Sequence, residues 1–268
     1  LAQAGYNYLV TEPAPAFVSE ALAREFNYGT FSARYGNIYT ARQLLQLLTR
    51  AYGEFTPRET VWEQDGRWYD PFRPLIQPNG FATAAECALD QVEHLKAVRR
   101  MVETCDVFCF TLGQTEAWVD REDGAVFPVC PGCGVGRFDP ERYAFKNFNA
   151  AECSADLQAA LRLIRSRNPA VRFIVTVSPV PLIATASGRH VLAASSYSKA
   201  ALRVAAQEVV DSLEHCEYFP SFEIVTGAYS RGVYFADDLR DVTPEGVAHV
   251  MRCFGESFFG EPVPGGAE

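Results

Sequence analysis

Apolar residues recur with helical spacing in five stretches of this chain, and short unbroken apolar runs lie between them. Thr40 is placed to cap a helix over 41–52, with Leu44, Leu45, Leu47 and Leu48 apolar and Gly53 as its stop. Residues 82–104 carry a long amphipathic pattern. Asn149 opens a third helix to Arg167, and Ser195 or Ser196 a fourth to Leu213. Thr243-Pro244, a cap followed by proline at the first helical position, opens the fifth, to Phe258. The runs 107–112, entered from Asp106, and 171–177 read as buried strands, the first covered on both faces. Tyr218-Phe219 and 222–225 read as short extended pieces. Asp65-Gly66 and Asp123-Gly124 sit between apolar and aromatic residues, so hairpins are expected over 61–69 and between 118–119 and 126–127. Prolines keep 11–16 and the segment from Pro71 to Pro78 irregular.

Helix and strand in alternation is the rhythm of βαβ units on a parallel sheet, so the expected class is α/β. In such sheets ligands sit beyond the carboxyl ends of the strands. The loops after Leu112, Val177 and Val225, with the stretch 237–241, are therefore the places to look for chemistry.

Length and charge narrow this further. The 268 residues suit one domain over 1–260 with insertions at 55–80 and 119–147 and a tail at 261–268. The opening Leu1-Ala-Gln-Ala-Gly5 reads as the last turn of a helix closed by glycine, so an upstream element is expected. A hydrophobic content of 48% supports a real core. A net charge of −9 argues against nucleic acid as a partner, and no apolar run has the length of a membrane span. Several of the eight cysteines lie inside apolar patterns, where a reduced thiol acts as a small hydrophobe, which points to a cytoplasmic setting.

Four places could carry chemistry. Gly113 and Thr115 leave the 107–112 strand, where a hydroxyl could serve as an oxyanion donor or merely cap a turn. Ser178, in Ser178-Pro-Val-Pro181, ends at the same sheet edge and reads as a rigid connector ahead of a nucleophile. His190 lies on the following loop, as a candidate base or a surface group. Asp237, Asp238 and Asp241 precede the last helix and could orient a histidine or only favour the helix N-terminus. Cys130-Pro-Gly-Cys133 has metal-like spacing without a second pair, so a reduced turn is expected there and no metal. His94, His215 and His249 fall within or at the ends of helices and read as structural.

At these residues the chain resembles the GSCFA family of the SGNH/GDSL hydrolase superfamily. The resemblance is carried by Tyr35-Gly-Asn-Ile-Tyr39, Phe110-Thr-Leu-Gly-Gln-Thr-Glu-Ala-Trp118, Val177-Ser-Pro-Val-Pro-Leu182, Arg189-His-Val191 with Tyr197-Ser-Lys199, Tyr218-Phe-Pro-Ser-Phe-Glu-Ile-Val225 and Asp238-Leu-Arg240. It implies a flavodoxin-like three-layer α/β/α fold with a mostly parallel sheet. It also implies acyl-ester chemistry at a serine, either hydrolysis or acyl transfer, with no cofactor. The substrate would be a small-molecule or carbohydrate acyl ester. Carried over position by position, Gly36 with Asn37, Gly113, Thr115 with Glu116, and Ser178 would bind substrate or the oxyanion, Thr115 standing where the superfamily usually has asparagine. Asp238 matches the acid of the terminal Asp-x-x-His pair. Asp241 occupies the histidine position, so His190 is the expected base. The Gly-Ser-Cys-Phe-Ala motif is not in the chain, and the nucleophile is expected upstream of Leu1. The competing expectation is a binding domain that kept the fold and lost the base. The aromatic and proline-rich stretches 55–80 and 119–147 would serve as a lid, a substrate wall or the surface of a homo-oligomer.

Overall fold

A computed structural model describes residues 5–260. In chain order the helices are α1 (Glu20–Glu25), α2 (Ala41–Ala51), α3 (Ala84–Thr104), α4 (Ala150–Arg167), α5 (Val191–Ser212), α6 (Ser221–Thr226) and α7 (Pro244–Phe258). The strands are β1 (Trp62–Gln64), β2 (Arg67–Tyr69), β3 (Val107–Leu112), β4 (Glu116–Asp120), β5 (Val126–Phe127), β6 (Tyr143–Asn147), β7 (Arg172–Val177) and β8 (Cys216–Phe219). The protein is thus mixed α/β. Among the described residues the strands fall into three sheets, of which only β3-β7-β8 is parallel. The expected helix turn at Leu1–Gly5 lies outside the described residues up to Ala4, and the tail 261–268 lies outside them as a whole.

The described residues gather into two compact units. One holds 9–106 and 115–171, the other 5–8, 107–114 and 172–260.

In the unit of 9–106 and 115–171, α2 packs against α3 and α4. Thr40, Thr83 and Asn149 cap these helices through their side-chain oxygens, and Asn149 with Glu152 closes a reciprocal capping box. Leu44, Leu48, Val98, Val102, Leu157, Leu161 and Ile164 are buried between them. Asp65 and Gly66 both take left-handed backbone angles, as a two-residue hairpin requires, and join β1 to β2. Asp123-Gly124 joins β4 to β5, and β6 completes that antiparallel sheet. Trp62 and Phe72, from the 55–80 stretch, share a core with Ala125, Phe127 and Tyr143 from 119–147. The two expected insertions therefore pack on each other.

A buried charge network ties the same unit together. Arg73 donates from Nε to Asp70 at 2.7 Å and from Nη2 to Asp90 at 2.6 Å. Arg34 donates to Asp90 at 3.2 Å and to the Phe26 and Ile76 carbonyls. The Arg34 backbone N–H donates to Glu12 at 2.7 Å, and Glu12 in turn holds His94 Nδ1 at 2.8 Å. Each buried charge has an opposite partner, the condition under which buried ions persist.

In the other unit β7 lies between β3 and β8, and α5 packs on β7 and β8. Ile174, Phe219 and Phe254 form a core with Ile224, Val250 and Phe258 around them. Three expectations are corrected here. First, β3 is not buried on both faces, because Val107, Cys109 and Thr111 are exposed while Phe108, Phe110 and Leu112 are buried. Among the described residues it is an end strand of its sheet, and only the middle strand β7 is enclosed on both sides. Second, α5 starts at Val191 rather than near Ser195, because the His190 side chain supplies the cap, accepting from the Leu192 N–H. Third, 222–225 is not extended but belongs to α6. The four residues Phe222-Glu-Ile-Val225 fit one helical turn as well as a strand.

Candidate active site

The carboxyl ends of β3 and β7 finish in register, Leu112 opposite Val177. The Ser178 N–H donates to the Leu112 carbonyl at 2.9 Å, which extends the ladder one residue beyond the strands. Gly113 follows Leu112 at this edge. Its carbonyl accepts a 2.7 Å hydrogen bond from the ammonium of Lys199 on α5. Lys199 is only 4% exposed, and burial lowers its pKa to about 8. Because the peptide is planar, fixing the Gly113 carbonyl fixes the orientation of the Gly113–Gln114 peptide as well.

The rest of this edge is built from hydroxyls. Thr176 Oγ1 lies 2.6 Å from Ser221 Oγ, which donates to the Val177 carbonyl at 3.0 Å. Ser195 Oγ accepts from the Leu182 N–H at 3.3 Å and so anchors the proline-rich loop to α5. Ser178 Oγ accepts from the Val180 N–H at 3.2 Å, the local turn of a rigid connector. Lys199, Ser195 and Ser221 went unassigned on sequence. The signal for Lys199 was a lysine set into the small, apolar face of a helix at Tyr197-Ser-Lys-Ala-Ala201.

His190 is exposed at the start of α5. Its Nδ1 accepts the Leu192 N–H at 3.3 Å, which leaves the ring proton on Nε2 in the neutral form. Asp238 is also exposed. Its Oδ1 accepts the backbone N–H groups of Asp241 and Arg240 at 2.9 and 3.0 Å, and these bonds lower its pKa. Asp241 pairs with Arg240 at 2.6 Å. No hydrogen bond or ion pair among the described residues joins His190 to Asp238 or Asp241.

The remaining expected site residues belong to the unit of 9–106 and 115–171. Gly36 takes a left-handed φ of 66°, which glycine adopts without strain. Asn37 donates to the Tyr39 hydroxyl at 3.1 Å, and its carbonyl accepts from Gln43 at 2.9 Å, so the turn is fastened to α2. Thr115 is fully buried and its hydroxyl donates to Asn147 Oδ1 at 2.7 Å. A hydroxyl has one proton, so this bond uses the donor that an oxyanion would need. Glu116 is buried and stands opposite Asn147 in the β4–β6 register.

Cys130 and Cys133 form a turn, with the Cys133 N–H donating to the Cys130 carbonyl at 2.8 Å. Burial and the neighbouring Cys133 push the Cys130 thiol up to about 11. Among the described residues no group of three or more His, Cys, Asp or Glu side chains is arranged to hold a metal. Among them, too, no helix is long and apolar enough to cross a membrane.

The carboxyl edge of the parallel sheet thus carries a buried cation, hydroxyls and a proline-stiffened loop, in a mixed α/β protein. The GSCFA family model matches residues 16–254, and the chain belongs to that family. Neither the comparison with curated proteins nor that with solved structures gives a match.

Proposed function

We propose that this GSCFA protein is an SGNH-type esterase or O-acyltransferase with the flavodoxin-like, three-layer arrangement. It would act on an acyl ester of a carbohydrate or a similar alcohol through a serine nucleophile. The observation that carries the reading is the Lys199 clamp on Gly113 at the carboxyl edge of the parallel sheet. Attack on an ester places negative charge on the carbonyl oxygen, and a preorganised cation and oriented peptides beside that oxygen stabilise it. Ser178 and the hydroxyls behind it shape the same edge. His190 is the proposed base. To accept a proton at Nε2 it moves its own proton to Nδ1 and gives up the 3.3 Å cap bond, a weak bond on an exposed residue. No cofactor is needed for this chemistry. The reading includes a cytoplasmic setting, supported by Cys87 and Cys153, which are packed as small buried hydrophobes.

A second reading has its own support. Asp238 is occupied by backbone N–H groups and Asp241 by Arg240, so neither orients an imidazole. That favours a binding domain of the same fold without ester turnover. A fluorophosphonate probe and p-nitrophenyl acetate, applied to the full-length protein, separate the two. The enzyme reading expects covalent serine labelling and turnover, with His190→Ala lowering kcat by roughly a thousandfold or more. Well-folded protein that shows neither labelling nor turnover is the binding domain.

A further inference from the structure

Between β5 and β6 the chain makes a tight turn that carries two of its cysteines, Cys130-Pro-Gly-Cys133. The Cys133 N–H donates to the Cys130 carbonyl at 2.8 Å, and the Gly132 N–H donates to the Val135 carbonyl, also at 2.8 Å. A four-residue turn closed in this way holds its first and last Cα atoms within about 7 Å of each other. A disulfide spans Cα separations of about 4.4–6.8 Å, so the backbone already stands close to what such a bond needs. The turn is also anchored. Pro131 is buried, and Val129 and Val135 pack against the core of Trp62, Phe127 and Tyr143.

The two thiols are free, and they lie in hydrogen-bonding contact with each other. Their surroundings differ. Cys133 is exposed and stands between the exposed Gly132 and Gly134. Neither neighbour has a side chain to shield its sulfur, and a Cβ added at Gly134 would meet nothing within 4 Å. Cys130 is half-buried, with its Sγ 3.5 Å from the Pro131 carbonyl. Burial first, and Cys133 second, push the Cys130 thiol up to about 11, so it keeps its proton while Cys133 is a free thiol. An incoming disulfide can therefore reach one sulfur directly, while the other waits behind it as a second thiol.

We propose that Cys130 and Cys133 form a thiol–disulfide exchange site for small-molecule disulfides of the glutathione class, with Cys133 attacking and Cys130 resolving. The Cys133 thiolate, its proton given to solvent, attacks one sulfur of glutathione disulfide. A bond forms between Cys133 Sγ and that sulfur, the S–S bond of the reagent breaks, and one glutathione thiolate leaves and is protonated. Once Cys133 is tied up in the mixed disulfide it no longer holds the Cys130 proton in place. Cys130 loses that proton to solvent and attacks Cys133 Sγ, which closes the Cys130–Cys133 bond and expels the second glutathione thiolate, protonated in turn. Two protein thiols are oxidised by two electrons, and one glutathione disulfide is reduced to two thiols. The site lies apart from the ester chemistry and does not depend on it. The competing reading is a turn whose thiols only fill space.

The test treats the folded protein with excess glutathione disulfide, quenches it with acid, alkylates the remaining thiols and digests it with trypsin. Cleavage after Arg121 and Arg137 releases residues 122–137, which hold both cysteines and no other. That peptide is expected without alkylation and two hydrogens lighter than its dithiol form, and reduced glutathione in excess should restore two alkylated cysteines. In Cys130→Ser the reaction is expected to stop at the mixed disulfide on Cys133. In Cys133→Ser, capture of glutathione by Cys130 should be at least about tenfold slower than capture by Cys133 in Cys130→Ser. Two alkylated cysteines after oxidation, a mixed disulfide that persists in the unaltered protein, or equal capture rates in the two variants would overturn the proposal. The peptide from the unaltered protein reports the bond even if a variant fails to fold.

Discussion

His94 makes the acid stability of the protein a quantitative question. Burial, with Arg73 as the second cause, lowers its pKa from 6.5 to about 4. In the unfolded chain the same imidazole titrates near 6.5. Between these two values the unfolded chain binds a proton that the folded protein does not. Stability therefore rises with pH across that window and falls on acidification from about 6.5 to 4. Each unit is worth about 1.4 kcal/mol, so the loss between about pH 7 and pH 4.5 is roughly 2–3 kcal/mol. Glu12 acts in the same direction but lower down. Its folded pKa is depressed, so its contribution is present above its ordinary value and disappears only as pH falls through the folded one. The perturbation that isolates the histidine is His94→Gln, which retains a donor for Glu12 and cannot titrate. Urea unfolding of both proteins over that pH range gives the difference directly, because the carboxylates other than Glu12, which His94 itself holds, are common to both. The unaltered protein should lose about 2–3 kcal/mol more than the variant. Parallel stability curves for the two would refute the neutral, buried imidazole.

Three further outcomes follow from the packing. Arg73→Met takes from fully enclosed Asp70 its ion-pair partner, leaving it the Phe72 N–H and the charge of Arg50, and should lower the urea-unfolding free energy by about 3–5 kcal/mol; a loss below about 1 kcal/mol would contradict the network as drawn. Gly136→Ala should cost about 1–3 kcal/mol and perturb Trp62 fluorescence, since a Cβ there meets the Trp62 ring at 2.8 Å from a left-handed φ of 77°. Lys199→Met removes a buried ammonium that has one hydrogen bond, so stability at neutral pH should change by no more than about 1 kcal/mol while any ester turnover falls. Burial holds the folded Lys199 pKa at about 8, below the unfolded 10.5, so the unfolded chain binds the extra proton in that window and stability rises with pH there. The difference in melting temperature between the unaltered protein and Lys199→Met should accordingly shift in favour of the unaltered protein from pH 8 upward, and a constant difference would argue against a buried ammonium.

The elements that were legible are those with a local cause. Thr40, Asn149 and Thr243-Pro244 start helices because their own side chains bond the first N–H groups, and Asp65-Gly66 reverses the chain because both residues tolerate a positive φ. What escaped sequence reading was set by distant partners. The open face of β3 depends on its being an end strand, which no pattern within Val107–Leu112 records. The network of Glu12, Arg34, Asp70, Arg73, Asp90 and His94 draws on residues up to 82 positions apart. Its one local trace is a pair of charges set among prolines, Asp70-Pro-Phe-Arg-Pro74. Thr115 was legible as a polar side chain at a strand end. Its commitment to Asn147 was not, because Asn147 is 32 residues away on β6.

The two histidines show why residue type and local pattern do not settle a chemical role. On sequence, His190 on a loop invites a functional reading and His94 inside a helix a structural one. What decides each ring is the group that holds its other nitrogen. His190 Nδ1 accepts from the Leu192 N–H, so the neutral ring carries its proton on Nε2 and is a donor there. His94 Nδ1 donates to the Glu12 carboxylate, so its Nε2 is an acceptor, and it opens on a cavity instead of on solvent. Acceptor geometry, which a base needs, is thus present at His94, where burial has lowered basicity to a pKa of about 4. At exposed His190 the acceptor has to be made by shifting a proton and releasing a helix cap. Removing the cap chemically, with Leu192→Pro to delete the N–H while retaining a residue that the first turn of a helix accepts, frees His190 Nδ1. If His190 is the base, that change should raise ester turnover relative to the unaltered protein, and unchanged turnover in a folded variant would remove His190 from the mechanism.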